Sequence, residues 1–228
     1  MDSTASKVPV RLVAITQPVY AESKTFKLSG AESFIAYVAR VSNPAGQMND
    51  ETAPRLLAYL IKNKHWSPFE MVSFTVEIQT SRAIAAQILR HRSFSFQEFS
   101  QRYAEATSTY HYPARRQDKK NRQNSIDDLP SETLSWFEEA QSQVDALAMD
   151  LYNEALDKGI AKEQARFLLP LSTATTLYMS GTARSWIHYI QLRADAATQL
   201  EHREIAEGCK AIFVAQFPCT SEALGWSS

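Results

Sequence analysis

A strand that runs directly into a helix is the feature that most restricts the fold of this chain. Residues Phe69 to Thr80 alternate apolar and polar side chains, which is the period-two pattern of a strand with one buried face. Ser81 follows at once and is a suitable N-cap for a helix predicted from Arg82 to about Arg92. A half-buried strand needs a packed layer on its apolar face, so the junction predicts a fold that combines a sheet with helices.

The rest of the chain predicts further helices and two further strands. The predicted strands are Val8 to Val19 and Leu171 to Met179. The predicted helices are Ala31 to Val41, Pro54 to Lys64, Ser131 to Gly159, Lys162 to Leu168, Thr182 to Arg193, and Thr198 to Phe217 before Pro218. Residues 114–130 have hardly any apolar side chains and predict an exposed polar loop. A chain of 228 residues can form one sizeable core, so we predict a single α+β domain over residues 1–228.

Charge and cysteine content argue against several classes of protein. Lys and Arg number 24 against 25 Asp and Glu, so no overall field draws the chain onto nucleic acid or a membrane. No apolar run approaches the ~20 residues of a membrane span, and the polar first seven residues lack a signal-peptide core. The two cysteines, Cys209 and Cys219, form no disulfide framework, which favours a reducing, cytoplasmic setting.

Several familiar catalytic and binding motifs are missing. The six glycines are far apart, so the chain has neither of the glycine-rich loops that hold phosphates through backbone amides. The five histidines and two cysteines show no zinc-binding spacing, and no metal is expected. No nucleophile elbow occurs, and Cys219 has no basic neighbour in sequence that would activate it. A bound nucleotide would therefore depend on arginine side chains.

The segment Arg90-His91-Arg92, followed by Ser100 and Arg102, is the strongest functional signal. Guanidinium groups bind phosphates and planar acceptor edges through paired, charge-assisted hydrogen bonds. The aromatic and polar side chains between residues 93 and 103 are typical of a loop that lines a ligand site. The alternative is that the three cations only complement the negative end of the preceding helix.

Two helices present chemically distinct faces on a helical wheel. Gln87 and Arg90 lie opposite the apolar arc of the helix after Ser81, beside small residues that allow close approach. In the helix after Thr182, Arg184, His188 and Gln191 share one face, whereas Trp186, Tyr189 and Arg193 share the other. An arginine among aromatic residues requires a buried anion or acceptor. This helix is expected to serve two sites or to lie where subunits meet, although core packing explains its aromatic residues.

The chain resembles the flavin-dependent thymidylate synthases over roughly Val8 to Phe217. The R-H-R-x7-S pattern at Arg90 to Ser100 is the signature of that family. Three further blocks are similar to those of the family and follow in its order: His65 to Glu70, Ala165 to Pro170, and Ala183 to Arg193. Four ordered blocks are far more specific than one motif.

The resemblance implies reductive methylation of dUMP to dTMP. Methylenetetrahydrofolate would supply the one-carbon unit and be released as tetrahydrofolate, NADPH would supply reducing equivalents, and tightly bound FAD would relay them. It also implies a central, mainly antiparallel sheet flanked by helices, and a homotetramer whose active sites are shared between subunits. No membrane and no obligatory nucleic acid is expected as a partner.

The resemblance also assigns site residues by position. The expected dUMP-binding residues are Gln87, Arg90, Glu98, Phe99, Ser100, Gln101, Arg102, Arg166 and Arg193. The expected FAD-binding residues are Ser67, Arg90, His91, Arg92, Glu98, Thr182, Ala183, Arg184 and His188. Arg193 is expected to favour ionisation of the uracil ring, and His65 is a candidate for the folate or hydride-transfer region. An unactivated Ser100 hydroxyl is expected to position substrate rather than attack it.

The sequence departs from the family pattern at two positions. Thr182 and His188 stand where many relatives carry asparagine, so altered contacts to FAD are expected. His65 alone would more often be a structural hydrogen-bonding residue. The basic segment Arg115 to Arg122 matches no family block. A single-stranded nucleic-acid-binding module and an inactive structural relative are the two alternative functions.

Overall fold

The computed structural model describes residues 9–19 and 30–226, and within them one antiparallel sheet carries the fold. Its four strands lie in the order β1 (Val10–Ile15), β2 (Ser73–Ser81), β6 (Ala174–Thr182) and β3 (Ser95–Glu98). All three strand pairs are antiparallel. The predicted α+β class with an antiparallel central sheet is confirmed.

Helices account for most of the remaining described chain. They are α1 (Ala31–Ala39), α2 (Ala53–Lys62), α3 (Arg82–Ile88), α4 (Ser131–Asp157), α5 (Lys162–Ala165), α6 (Ala183–Arg193), α7 (Leu200–Gln216) and α8 (Pro218–Ala223). Short 3-10 turns occur at Ser67–Glu70 and Arg166–Leu168. Each helix predicted from the sequence is present, with its ends moved by a few residues.

Three of the shifted boundaries have local reasons. The strand predicted from Phe69 begins at Ser73, because the fixed φ of Pro68 favours the 3-10 turn that precedes it. Helix α3 ends at Ile88 rather than Arg92, since the amides of Arg90 and His91 close three-residue turns onto the carbonyls of Gln87 and Ile88. Pro218 ends α7 but also opens α8, where its missing N–H costs no hydrogen bond.

Two other segments contain strands where none was predicted, and one predicted strand moves. The segment after Arg92 contains β3, which pairs with β6. The polar segment 114–130 contains a small hairpin formed by β4 (Arg116–Gln117) and β5 (Ser125–Ile126). The strand predicted at Leu171 to Met179 is shifted to β6, whose ladder with β2 starts only at Ala174. Val8, the first residue of the first predicted strand, lies outside the described residues.

The core lies on one face of the sheet. Phe74, Val76 and Ile78 of β2 are buried beside Leu177 and Met179 of β6. Three fully buried aromatic residues cover this face: Trp186, Phe213 and Phe217. Their ring centroids lie 4.5 to 6.2 Å from the centroid of the Phe74 ring. Burying a side chain of this size contributes on the order of 2 kcal/mol, so these contacts fix α6 and α7 firmly on the sheet.

Two strand-to-helix junctions position the functional residues. β2 passes into α3 at Ser81, whose Oγ accepts a hydrogen bond from the Ile84 amide, as predicted. β6 passes into α6 at Thr182, whose Oγ1 accepts a hydrogen bond from the Ser185 amide. Because Ser81 pairs with Ala174 and Ser73 pairs with Thr182, the two helices start at opposite ends of the central strand pair.

Candidate functional site

Helices α3, α6 and α7 and the turn after α3 bring Gln87, His91 and Arg193 together with two residues that the sequence did not point to. Arg193 Nε donates to His91 Nε2 at 3.0 Å, and the His91 ring lies edge-on to Tyr189. The Tyr189 hydroxyl is 3.1 Å from His202 Nε2, and His202 Nδ1 is 3.4 Å from Gln87 Oε1. These five residues are called the imidazole cluster below.

The histidines of this cluster are neutral. Burial, followed by the charges of Arg193 and His188, lowers the pKa of His91 from 6.5 to about 4. Burial, followed by the charge of Arg193 and the neighbouring His91 ring, lowers the pKa of His202 from 6.5 to about 3. A neutral imidazole has one unprotonated nitrogen, so His91 Nε2 can accept the bond from Arg193. The acceptor that an arginine on the aromatic face of α6 requires is therefore an imidazole.

Glu98 is held at the N-terminal end of α3. Its Oε1 accepts hydrogen bonds from Arg82 at 2.8 Å and from Thr175 Oγ1 at 2.9 Å. The next residue, Phe99, donates its amide to the Thr176 carbonyl. Helix α3 has seven residues and spans about 10 Å, with the partner of Glu98 at its first residue and Gln87 near its last.

Arg102 and Arg166 meet around Glu163. Arg102 Nε donates to Glu163 Oε2 at 3.1 Å, and Arg166 Nε donates to the Glu163 backbone oxygen at 3.1 Å. This segment connects to α3 as well, because the amides of Arg82 and Ala83 bond to the carbonyls of Thr173 and Leu171. Two guanidinium groups that are far apart in sequence therefore lie on one small surface.

The residues between Glu98 and Arg102 include an unsatisfied polar group. Gln101 is only 6% exposed, and its Nε2 has no hydrogen-bond partner among the described residues. A buried amide donor without a partner is costly. Ser100 Oγ accepts only from the Arg102 amide at 3.4 Å, and no histidine or carboxylate that the structure describes activates it. The arrangement fits positioning of a ligand by this segment and not attack by the serine.

Arg90 and Arg92 differ from Arg82, Arg102 and Arg184, which pair with carboxylates. Both are exposed, and within residues 9–19 and 30–226 neither guanidinium forms an ion pair. Carboxylates compensate the charges of Arg82, Arg102 and Arg184. The signature pattern therefore supplies two uncompensated positive charges beside the imidazole cluster, which is the arrangement that an anionic ligand requires.

A cleft of about 460 Å³ lies on the other side of α6. Its lining comprises Trp66, Glu70, Ser93, Arg184, Ser185, Ile187, His188 and Gln191. Arg184 Nη1 donates to Glu70 Oε1 across it. The cleft contains Arg184 and His188 of the residues expected to contact FAD, and Ser67 follows Trp66 at its edge. The two faces predicted for the helix after Thr182 are present as two separate environments.

Other expected residues are not part of the cleft surface. Ala183 is fully buried, and its amide donates to the Val72 carbonyl. Thr182 uses its hydroxyl to cap α6. His65 is exposed and packs edge-on to Tyr59, with ring centroids 5.8 Å apart. The path of the backbone at His65 is set by Lys64, which adopts a left-handed φ of 57°, and by the bond from the His65 amide to the Leu60 carbonyl.

The donor set suits a flavin nucleotide. The cleft has an aromatic wall in Trp66, a guanidinium in Arg184 and ring nitrogens in His188, which are groups that contact a ring system and a diphosphate. Within the described residues, no three His, Cys, Asp or Glu side chains gather closely enough to hold a metal ion. In the same part of the chain, no helix is both long and apolar enough to cross a bilayer.

The basic segment Arg115 to Arg122 is built as a hairpin with internal ion pairs. Arg116 forms two hydrogen bonds with the Asp128 carboxylate, and Arg115 bonds to Ser125 Oγ and to its backbone oxygen. Asp118 accepts from the Lys120 amide and the Asn124 side chain in the turn. Arginines that are already paired within the hairpin stabilise it and are less available to bind the phosphates of a nucleic acid.

Sequence reasoning missed Arg82, Tyr189 and His202 as parts of the site. Arg82 follows a cap residue, a position without a distinctive signal. The carboxylate that pairs with it is sixteen residues away. His202 and Tyr189 lie thirteen residues apart on different helices, and no spacing rule joins them.

Comparison with known proteins gives a consistent result. The sequence matches the family of the thymidylate synthase complementing protein over residues 25–219. It is 55% identical over 217 residues to the probable flavin-dependent thymidylate synthase of Paramecium bursaria Chlorella virus 1, covering 95% of this chain and 98% of the relative. It is 53% identical over 218 residues to the flavin-dependent thymidylate synthase of Synechocystis sp., covering 95% and 99%.

A solved structure agrees with the sequence comparisons. The UMP/dUMP methylase PolB from Streptomyces cacaoi, bound with 5-Br dUMP, has a TM-score of 0.80 to this chain at 27% identity. The match covers 95% of this chain and 93% of that chain.

Proposed function

The chain belongs to the family of flavin-dependent thymidylate synthases, and we propose that it converts dUMP to dTMP with methylenetetrahydrofolate and NADPH in the cytoplasm. The methylene carbon leaves the two folate nitrogens and becomes the methyl group on C5 of uracil, while the proton lost from C5 and one proton from solvent protonate those nitrogens. NADPH provides the hydride that completes this methyl group, and tetrahydrofolate and NADP⁺ are released. Bound FAD supplies the hydride relay between NADPH and the one-carbon unit.

One observation carries this proposal: the Arg193 guanidinium is held by a neutral imidazole beside Gln87 and two uncompensated arginines. A carboxylate partner would cancel the charge of Arg193, whereas an imidazole orients it and leaves it available. In our proposal, this charge stabilises the uracil ring as electron density rises at C5. Gln87 contacts the base, and Arg90, Arg102 and Arg166 bind the phosphate.

The remaining expected residues divide between substrate and cofactor. We assign Glu98, Phe99, Ser100 and Gln101 to the walls of the dUMP site, with Gln101 Nε2 available to a ligand acceptor. We assign the cleft lined by Arg184 and His188 to FAD, together with Ser67 and the segment Arg90, His91 and Arg92. Thr182 and Ala183 belong to this site as the residues that fix the start of α6 behind the cleft. Glu98 contacts both ligands, and His65 belongs to the folate or hydride-transfer region.

We further propose that the enzyme is a homotetramer with shared active sites. Helix α4 has a stripe of exposed apolar side chains on one side, which supports assembly: Trp136, Val144, Leu147 and Leu151. Such a stripe is unfavourable in water unless another surface covers it. Sedimentation equilibrium at working concentration tests this proposal, and a monomer would exclude it.

The decisive test of the activity uses purified protein. The protein should be yellow and release FAD on denaturation. With dUMP, NADPH and methylenetetrahydrofolate labelled with carbon-13 at the methylene, mass spectrometry should find labelled dTMP. Reactions that lack any one of the three should yield none. Colourless protein, or dUMP recovered unchanged from the complete reaction, would refute the proposal.

Substrate binding can be tested separately from turnover. Arg102→Ala removes one proposed phosphate contact, so the Kd for dUMP should rise roughly tenfold, which is the effect of one charge-assisted hydrogen bond. Arg116→Ala is the matched control, because that arginine is paired within the hairpin. Equal dUMP affinity in the two variants would remove Arg102 from the phosphate site.

A further inference from the structure

His202 is a fully buried histidine that the proposed chemistry does not use. It has no exposed surface, and both of its ring nitrogens have partners. Nε2 is 3.1 Å from the Tyr189 hydroxyl, and Nδ1 is 3.4 Å from Gln87 Oε1. It therefore connects the aromatic core to a side chain of the proposed uracil site.

Hydrogen bonds run from Glu201 through Gln199 and Gln87 to His202. The donor of each bond can be deduced by starting from Glu201. The Glu201 carboxylate can only accept, so Gln199 must turn its amino group toward it, at 2.8 Å. Gln199 then presents its oxygen to Gln87, whose amino group donates to it at 2.6 Å. The oxygen of the Gln87 amide must consequently face His202.

The same reasoning fixes the tautomer of His202. Gln87 Oε1 can only accept, so His202 carries its proton on Nδ1 and donates to that oxygen. Nε2 is left as an acceptor for the Tyr189 hydroxyl. Burial lowers the pKa of His202 to about 3, which agrees with a neutral ring that has a single N–H.

We propose that His202 is a positioning residue that locks the Gln87 amide with its oxygen inward and its amino group toward the ligand. This inference rests on the proposed binding of dUMP beside Gln87. Gln199 is exposed, and its amide oxygen occupies the position of a carbonyl acceptor. A pyrimidine carbonyl replaces that oxygen when the nucleotide binds. Without His202, the amide can turn over and present its own oxygen, which repels the carbonyl.

Two conservative substitutions test the hydrogen bonds of the two ring nitrogens of His202 separately. In His202→Asn the side-chain amide lies near the former Nδ1, so it can still donate to Gln87 but does not reach Tyr189. In His202→Gln the amide extends to the former Nε2, so it still meets Tyr189 but leaves Gln87 without a donor. Each variant loses one hydrogen bond, and the shorter side chain of His202→Asn also leaves more buried volume empty.

The test compares dUMP affinity in flavin-loaded wild-type protein and in both variants. Titration of the flavin absorbance with dUMP should give a Kd for His202→Asn within about threefold of wild type. For His202→Gln the Kd and the KM for dUMP should rise tenfold or more, although its kcat and Tm should be no lower than those of His202→Asn. Equal affinities in the two variants, whether both normal or both weak, would reduce His202 to a packing residue.

A double-mutant cycle checks that the effect passes through Gln87. Gln87→Glu keeps the acceptor for His202 but has no amino group, so it should also weaken dUMP binding. Adding His202→Gln to it should cause little further loss. Losses that multiply would contradict the positioning role. Wild-type protein that does not respond to dUMP would instead refute the proposed function itself.

Discussion

The two faces of α6 show two ways in which a protein can hold an arginine. On the exposed face, Arg184 is paired with the Glu70 carboxylate at the edge of an open cleft. On the face toward the aromatic core, Arg193 donates to the neutral ring of His91. The two arginines are nine positions apart on one helix, yet among the described residues only the exposed one has a carboxylate partner.

The difference between Arg184 and Arg193 shows how a protein keeps a positive charge available to a ligand. An ion pair in a partly exposed cleft contributes little to stability, and its net charge is close to zero. An imidazole contributes a hydrogen bond without a countercharge, and it requires a histidine that stays neutral. The burial that lowers the pKa of His91 meets this requirement. We therefore assign the polarising role to Arg193 and a binding role to Arg184.

Removing each arginine in turn should separate these roles, and it is the largest effect we predict. Arg193→Ala should lower kcat about 100-fold or more while the protein keeps its fold and its flavin, since a preorganised charge is lost. Arg184→Ala should instead reduce the flavin bound per chain. Steady-state kinetics and absorbance spectra measure both. If Arg193→Ala keeps normal turnover, the contrast between the two faces fails.

Changing the partner of Arg193 should reveal whether the missing countercharge matters. In His91→Gln, the amide oxygen can replace Nε2 as an uncharged acceptor, so turnover should stay within about tenfold of wild type. In His91→Glu, a carboxylate takes the same place and cancels the charge, so turnover should fall further, by another tenfold or more. Both rates should be compared at equal flavin content. Similar rates in the two variants would show that only the hydrogen bond is needed.

The close packing of Gly181 against Phe94, next to α6, offers a test with a smaller expected effect. A Cβ on Gly181 would lie 2.4 Å from the Phe94 ring, which packs against Trp186 and Tyr189. Gly181→Ala should therefore destabilise the protein by about 1–3 kcal/mol, because the buried ring must move. Urea unfolding of Gly181→Ala and of Gly46→Ala, whose added Cβ would meet only the exposed Asn43 side chain, measures the difference. Equal stability would mean that Phe94 has room to shift.

The strand-to-helix junctions were predictable because their signals are local. Alternation followed by Ser81 predicted β2 and α3, and the capping bond confirms it. The two faces of α6 were also correctly predicted from a helical wheel. The short strand β3 was not predicted, since only its pairing with β6 makes it a strand.

Partners across the fold could not be predicted from the sequence. Helical periodicity predicted that Arg193 needs an acceptor but could not name it, because His91 is 102 residues away. The bond between His202 and Gln87 spans 115 residues and depends on how α7 packs against α3. Hydrogen-bond direction depends on neighbours on both sides, and the sequence does not say which residues those are.

The smallest predicted effect concerns the cap that both faces of α6 share. Thr182 Oγ1 accepts from the Ser185 amide at 3.2 Å, so Thr182→Ala should cost about 1 kcal/mol of unfolding free energy. Thr182→Asn keeps a capping oxygen and should stay within about 0.5 kcal/mol of wild type. Ser81→Ala, at the matching junction, loses a longer bond of 3.5 Å and should cost less than Thr182→Ala. Urea unfolding orders the three variants.

The Thr182 cap stands at the start of α6 and so supports both faces of that helix. Thr182→Ala should therefore weaken flavin binding and turnover together, in contrast to the separate losses expected for the variants of Arg184 and Arg193. A loss of one without the other would show that each face is held by its own packing and not by the start of the helix.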